Sequence, residues 1–339
     1  MHEQTEQSIV LSPKPAGGIS TIPPARVSSR TSPAQGRNLG DVVFKNSTLA
    51  FAIVVFSLVF LMTLEMVKGS QLSLARFGWS FLWTSTWDPV HEVFGALPFI
   101  YGTIVTSLIA LALALPLGLG VAIFLSEIAP RWLAEPCSFL VELLAAIPSI
   151  VYGLWGVFVM VPWMRLHGLP LLSKSLGTFI PFFRGLPYGF GMLTAGVILA
   201  IMILPIITAI TRDVLRAIPT TQREAALAIG ATPWESTRII LGSARSGIVG
   251  ATLLGLGRAI GETMAVTMVI GNRPEISAFL FNPGYSMASV IANEFTEATS
   301  ELYTSSLIEI ALLLFVVTIL LNALARLVVW SVSKKFRTA

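Results

Sequence analysis

Charged residues are scarce in this sequence. Of 339 residues, only 12% are Asp, Glu, Lys or Arg, whereas 54% are hydrophobic and the mean hydropathy is +0.79. A soluble domain of ordinary composition carries about twice that charged fraction. The composition excludes an ordinary water-soluble domain and predicts a membrane protein.

Cysteine and histidine are almost missing. Cys137 is the single cysteine, which excludes an internal disulfide, and the three histidines (His2, His91 and His167) are far apart. Structural and catalytic metal sites need several such ligands at short spacing. We therefore expect no metal site and no cofactor.

Nucleotide-binding signatures are missing as well. The sequence has no GxxxxGK[ST] phosphate-binding loop, so we do not expect the chain to hydrolyse ATP by that route. Gly255, Gly257 and Gly261 only approximate a dinucleotide fingerprint, and no strand precedes them. Any ATP-driven work would need a partner subunit.

Long apolar windows are what the sequence contains instead. A helix needs roughly 20 apolar residues to cross the hydrocarbon core. The candidate windows are 46–64, 94–126, 143–164, 185–211, 246–272 and 302–325. The last two reach spanning length only if Arg258 and Glu262, or Glu309, lie inside them. The predicted fold is an all-α polytopic membrane protein with six transmembrane helices.

The loops between these windows predict the orientation. Lys and Arg concentrate on the cytoplasmic side of short loops, and they do so here if both termini are cytoplasmic. The positive charge then reflects topology, and nucleic acid is not expected as a partner. Residues 1–45 are predicted as a disordered cytoplasmic tail, 46–333 as the transmembrane domain, and 334–339 as a basic cytoplasmic tail.

One cytoplasmic loop, residues 212–245, contains helix signals. Thr221 and Glu224 are spaced as a capping box, residues 232–235 (TPWE) form a second one, and Gly230 suits the left-handed position after a helix. The loop is predicted to form two short helices joined by a tight turn. An apolar surface on the first could pack on the chain itself or on a partner, and it comprises Ala225, Ala226, Leu227 and Ile229.

The stretch GLGRAIGETMAVTMVIGN (255–272) carries two opposite charges in apolar surroundings. On one helix, Arg258 and Glu262 share a face and can pair, which offsets the cost of a charge in the bilayer. Gly257 and Gly261 allow another helix to approach closely. Two interpretations stay open. Either the pair is a structural salt bridge, or Arg258 binds a passing anion while Glu262 weakens that grip or accepts its proton.

Other polar groups lie in or beside the last window. Glu294, Glu297 and Glu301 fall at helical spacing, and they form either an acidic docking face for an external protein or a solvated helix face. Glu309 either makes a polar contact between helices or faces a cavity. Two prolines, Pro148 and Pro205, are expected to kink their spans.

Several motifs resemble a known family. Glu224-Ala225-Ala226 followed by Gly230 resembles the EAA loop of ABC importer permeases, but Leu241-Gly242 stands where the family has Leu-Pro. Further segments resemble the PstC-type permease subunits of phosphate ABC transporters. They are FGALPFIYGT (94–103), ELLAAIPSIVYGLWG (142–156), AGVILAIMILP (195–205), GETMAVTMVIGN (261–272) and IANEF (291–295).

The resemblance implies a type I ABC importer permease in a bacterial cytoplasmic membrane, which is not itself an enzyme. Its partners would be a PstA-type permease, two copies of a PstB-type ATPase and an external phosphate-binding protein, and its cargo inorganic phosphate. Glu224, Ala225, Ala226, Leu227 and Gly230 would couple to the ATPase, and Arg258 and Glu262 would lie on the substrate path. The alternative is an ion-coupled secondary anion carrier with Glu262 or Glu309 as its proton site.

Overall fold

The computed structural model describes residues 39–175 and 177–335, and the chain divides into two units, 1–58 and 59–339. Most of the predicted N-terminal tail, residues 1–38, lies outside the described residues, as do residues 336–339. From Leu39 the chain is helical, so the first helix begins inside the segment predicted as a tail. Likewise the last helix extends to Lys335, inside the segment predicted as a C-terminal tail.

The described part of the first unit is helical. Helix α1, Leu39–Gly69, has 31 residues and continues into the second unit, and its side chains are mostly exposed. The Ser47 and Thr48 hydroxyls donate to the carbonyl oxygens of Val43 and Phe44 one turn earlier. These bonds satisfy polar groups within the helix, as a membrane span requires.

Helices also make up most of the second unit. In the part of the chain that the structure describes there is no strand, and one isolated antiparallel bridge joins Asp88 to Val93. The further helices are α2 Gln71–Phe77, α3 Leu97–Ile128, α4 Arg131–Ala145, α5 Ser149–Ser175, α6 Met192–Arg216, α7 Thr220–Ala228, α8 Pro233–Gly261, α9 Met264–Val269, α10 Met287–Glu294 and α11 Glu301–Lys335. Among the described residues, six helices are long and apolar enough to cross a membrane, namely α1, α3, α5, α6, α8 and α11, which confirms the predicted six-span fold.

Helix α6 forms the centre of the second unit. Ile198, Ile203 and Ile207 on it are fully buried. A Cβ added at Gly118 of α3 would lie 3.1 Å from the Ile207 side chain, and one at Gly255 of α8 would lie 2.9 Å from it. Small residues on both neighbours therefore let α3 and α8 pack closely against α6.

Two of the predicted windows, 143–164 and 246–272, do not each correspond to a single helix with similar ends. The window 143–164 joined parts of two helices, because Pro148 precedes Ser149 and separates α4 from α5. Pro205 lies inside α6 as expected. The window 246–272 was also wrong at both ends, since α8 begins at Pro233 and stops at Gly261. The stop occurs where Glu262 adopts an extended backbone, with φ −72° and ψ 124°.

Candidate functional site

Glu262 lies in the break between α8 and α9. It is only 8% exposed, and its carboxylate accepts a hydrogen bond from the Ala265 backbone N–H at 3.3 Å. That N–H belongs to the first turn of α9, whose amides have no partner within the helix. The side chain therefore bonds forward to α9 instead of backward along α8.

Arg258 is exposed, and among the ion pairs formed by the described residues none joins it to Glu262. The predicted pair on one helix face is therefore wrong within this chain. Its spacing argument assumed a continuous helix, and the helix ends one residue before Glu262.

The glycines beside Arg258 face open space. A Cβ added at Gly257 or Gly261 would meet no atom outside its immediate helix within 4 Å. Gly250 is equally open, and Leu254 is 61% exposed. We call this surface, formed by Gly250, Leu254, Gly257, Arg258 and Gly261, the open face of α8. Close helix packing at Gly257 and Gly261 stays a prediction that concerns another chain.

The coupling loop, residues 212–245, contains α7 and the start of α8. Helix α7 begins at Thr220 after Pro219, with no side-chain cap, so the predicted capping box of Thr221 and Glu224 is wrong. Because the helix starts at Thr220, two residues earlier than that box requires, Thr221 lies within its first turn and not at the capping position. The second capping box is present: Thr232 accepts from the Glu235 N–H, and the Thr232 N–H donates to the Glu235 carboxylate.

Gly230 forms the left-handed turn after α7 that the sequence predicts. Gly230 has φ +88°, the Ala231 N–H donates to the Ala226 carbonyl, and the Gly230 N–H donates to the Leu227 carbonyl. This pair of backbone hydrogen bonds is the Schellman motif. The second predicted helix is not short, however. It is the beginning of α8, which continues through the fifth span.

The residues predicted to couple to a partner have unequal exposure. Ala226 is buried within the chain, whereas Glu224, Ala225 and Gly230 are exposed. The larger apolar side chains are also exposed, with Leu227 at 52%, Ile229 at 84% and Trp234 at 66%. Ala226 thus holds α7 on the chain, and the side chains around it form a free apolar surface.

An ion pair that sequence reasoning missed anchors α7 to α3. The Arg223 guanidinium donates to both carboxylate oxygens of Glu127, at 2.7 and 3.1 Å, and also to the carbonyls of Leu215 and Ile218. The hydrogen bond with Glu127 raises the pKa of Arg223 above its ordinary value. The two residues are far apart in sequence, so no local pattern indicated that they meet.

The three predicted docking glutamates do not share one helix face. Glu294 ends α10 and Glu301 begins α11, with a non-helical connection between them. The Glu294 carboxylate accepts hydrogen bonds from the Trp87 indole and the Tyr303 hydroxyl, both at 2.7 Å. Glu294 is thus part of the fold, and docking stays a prediction for exposed Glu297 and Glu301.

Comparison with known proteins decides the family. Residues 114–334 match the family described as binding-protein-dependent transport system inner membrane component. The phosphate transport system permease protein PstC of Mesorhizobium japonicum is 50% identical over 308 residues, which cover 89% of this chain and 94% of that protein. The chain belongs to the PstC-type permeases of this family.

Other PstC-type permeases are similar over comparable lengths. The one from Haemophilus influenzae is 49% identical over 85% of this chain and 93% of that protein. A probable one from Methanocaldococcus jannaschii is 38% identical over 82% and 90%. A chain of the MetNI methionine ABC transporter has 20% identity and a TM-score of 0.45 over 69% of this chain and 94% of that one, a likeness too distant to support a conclusion.

Family membership establishes where the protein acts. A PstC-type permease with these apolar helices is a multi-pass protein of the bacterial inner membrane and a transport subunit of a binding-protein-dependent system. The ion-coupled secondary carrier that was kept as an alternative finds no support in these relatives. Within residues 39–175 and 177–335, no three His, Cys, Asp or Glu residues are grouped to hold a metal ion.

Proposed function

We propose that this chain is the membrane-spanning permease subunit of an ATP-driven importer of inorganic phosphate. The observation that carries the proposal is the 50% identity, over 89% of the chain, to a protein named as a phosphate transport permease. In the proposed complex, a PstA-type permease completes the pathway, a PstB-type ATPase dimer hydrolyses ATP and an external binding protein delivers phosphate. Both termini and the coupling loop then face the cytoplasm, as the loop charges indicate.

The coupling loop is the proposed contact with the ATPase. Its exposed apolar residues Leu227, Ile229 and Trp234 form a patch that a docking groove would cover. Arg223 and Glu127 fix the same loop to α3 at hydrogen-bond distance. A displacement of the loop by the ATPase would thus move α3 as well.

Helix α8 is the proposed connection between coupling and transport. It begins at Pro233 in the coupling loop, and Arg258 lies 25 residues further on, about 38 Å along one continuous helix. A rigid element of this length can pass a displacement of the loop to the region around Arg258. The break after Gly261 ends that element just beyond Arg258.

The open face of α8 is the proposed phosphate path. Arg258 is exposed there, and a guanidinium offers phosphate a planar fork of donors that stays protonated. Glu262 follows immediately and is held at the break by its bond to α9. Its negative charge would weaken the grip of Arg258 on the anion or accept a proton from hydrogen phosphate.

Transport in reconstituted vesicles tests the proposed function. The full complex is reconstituted with the binding protein outside, and uptake of labelled phosphate is measured with internal ATP, without ATP, or with a proton gradient alone. We expect uptake only with ATP, and competition by arsenate but not by sulfate or molybdate. Uptake that follows the proton gradient without ATP would overturn the proposal in favour of the secondary carrier.

A further inference from the structure

A cavity of about 430 Å³ lies between α11 and the segment formed by α2 and the turn after it. Its lining is apolar almost throughout and includes Leu74, Trp79, Leu313 and Val316. The exception is Glu309 of α11. The proposed transport mechanism makes no use of this cavity.

Glu309 has an incomplete set of partners. The residue is only 6% exposed. On the same helix, the Ser306 hydroxyl donates to the Ser73 hydroxyl of α2 at 3.2 Å. The carboxyl oxygen Oε2 of Glu309 is buried without a partner, and none of the ion pairs among the described residues includes Glu309. A buried acceptor in apolar surroundings is unfavourable unless a donor reaches it.

The position of Glu309 along α11 places the cavity near a membrane surface. Glu309 precedes Arg326 by 17 residues, about 26 Å of helix, and the hydrocarbon core is about 30 Å thick. If Arg326 marks one interface, Glu309 lies close to the other. Trp79 at the cavity is 84% exposed, and exposed tryptophans are typical of the headgroup region.

We propose that this cavity binds a phospholipid with a primary ammonium headgroup, such as phosphatidylethanolamine. The ammonium N–H donates to Glu309 Oε2, and the upper part of an acyl chain fills the apolar remainder beside Leu313 and Val316. The missing donor selects the headgroup, because Oε2 is an acceptor without a partner, an ammonium group can donate to it, and choline has no N–H to donate. The apolar lining selects a lipid rather than a soluble amine.

Lipid retention by the assembled transporter tests this proposal. The complex is incorporated into nanodiscs with equal amounts of phosphatidylethanolamine, phosphatidylcholine and phosphatidylglycerol of identical acyl chains, and retained lipids are counted by native mass spectrometry. We expect the wild type to retain the ethanolamine lipid over the choline lipid by at least about tenfold, the effect of one charge-assisted hydrogen bond. Glu309→Gln should reduce this preference to parity while lipid is still retained.

A second pair of variants tests the apolar part of the cavity without changing Glu309. Val316→Trp fills the cavity and should abolish specific retention, whereas Leu320→Trp, one turn further along α11 and outside the lining, should not. Equal retention of the three lipids by the wild type would overturn the proposal. An ethanolamine preference that survives both Glu309→Gln and Val316→Trp would also overturn it. In a separate experiment, a Val316→Cys variant that cross-links to a partner subunit would show that protein, and not lipid, fills the cavity, and this result would overturn the proposal as well.

Discussion

The two ends of α8 are held in place in different ways. The first end is fixed by the Thr232 and Glu235 capping box, which involves neighbours in sequence and is exposed to solvent. The second end stops beside buried Glu262, and α9 behind it packs on α5, where a Cβ at Gly153 would lie 3.1 Å from the Ala265 Cα. Surface changes should therefore affect the first end without disturbing the fold, whereas changes at the second end act on packing and charge together.

Removal of the Arg258 charge should have the largest effect on transport. We expect Arg258→Gln to lower phosphate uptake about 100-fold, because it removes the cation on the open face that would make charge-assisted hydrogen bonds to the anion. ATPase binding should be unchanged, since the coupling end is distant. Uptake by vesicles and co-purification of the ATPase measure the two effects. The control is Arg131→Gln at the start of α4, and equal losses in both variants would contradict a specific role for Arg258.

A charge introduced into the exposed apolar patch of the coupling loop should weaken association with the ATPase. Ile229→Asp is expected to weaken ATPase association between about 10- and 100-fold, the effect of losing one large apolar contact, without loss of thermal stability of the permease. Ile276→Asp, outside the coupling loop and 45% exposed, is the control. Ala226→Asp should instead destabilise the permease itself, because Ala226 is buried. If Ile229→Asp leaves the ATPase bound, the patch is not the docking surface.

The Glu262→Gln variant tests the charge of Glu262 separately from its hydrogen bond at the helix break. In Glu262→Gln the amide oxygen can still accept the Ala265 N–H, so the break should persist while the charge is lost. We expect uptake to fall about tenfold, for a charge effect on the order of 1.4 kcal/mol, with an unchanged melting temperature. Glu275→Gln, at an exposed site beyond α9, is the control. Normal transport by Glu262→Gln would mean that the carboxylate is only a helix cap.

Loss of the anchor between α7 and α3 should have the smallest effect. Glu127→Gln removes the charge opposite Arg223 but leaves the bonds from Arg223 to the Leu215 and Ile218 carbonyls. We expect the ratio of ATP hydrolysed to phosphate transported to rise about threefold. A change of this size corresponds to the small free energy that a partly exposed ion pair contributes. Glu135→Gln on α4 serves as control. An unchanged ratio would show that the anchor is not needed for coupling.

The same contrast explains what the sequence could predict. Local signals identified the Thr232 and Glu235 box and the left-handed Gly230, because each depends on residues within one turn. Apolar length identified the spans, because the bilayer sets the same requirement for every helix. The family motifs then pointed to the PstC-type permeases, which the comparisons confirm.

Contacts between residues that are far apart in sequence could not be predicted from local patterns. The Arg223 and Glu127 pair, and the bonds that hold Glu294 to Trp87 and Tyr303, join segments far apart in sequence. The break at Glu262 was missed because the spacing rule for helices assumes that the helix continues. The glycines at 257 and 261 were expected to face a helix, and within the described chain they face none.

Accessibility of the open face of α8 tests the central claim most directly. In a Cys137→Ser background, Leu254→Cys lies one turn before Arg258, and Leu320→Cys on α11 is an equally exposed control, since both leucines are 61% exposed. The assembled complex is treated with a water-soluble thiol reagent. The account predicts that position 254 reacts, more slowly when phosphate is present, and that position 320 does not. A cysteine at 254 that never reacts and instead cross-links to the second permease would contradict it, because the face would then be a permanent helix contact.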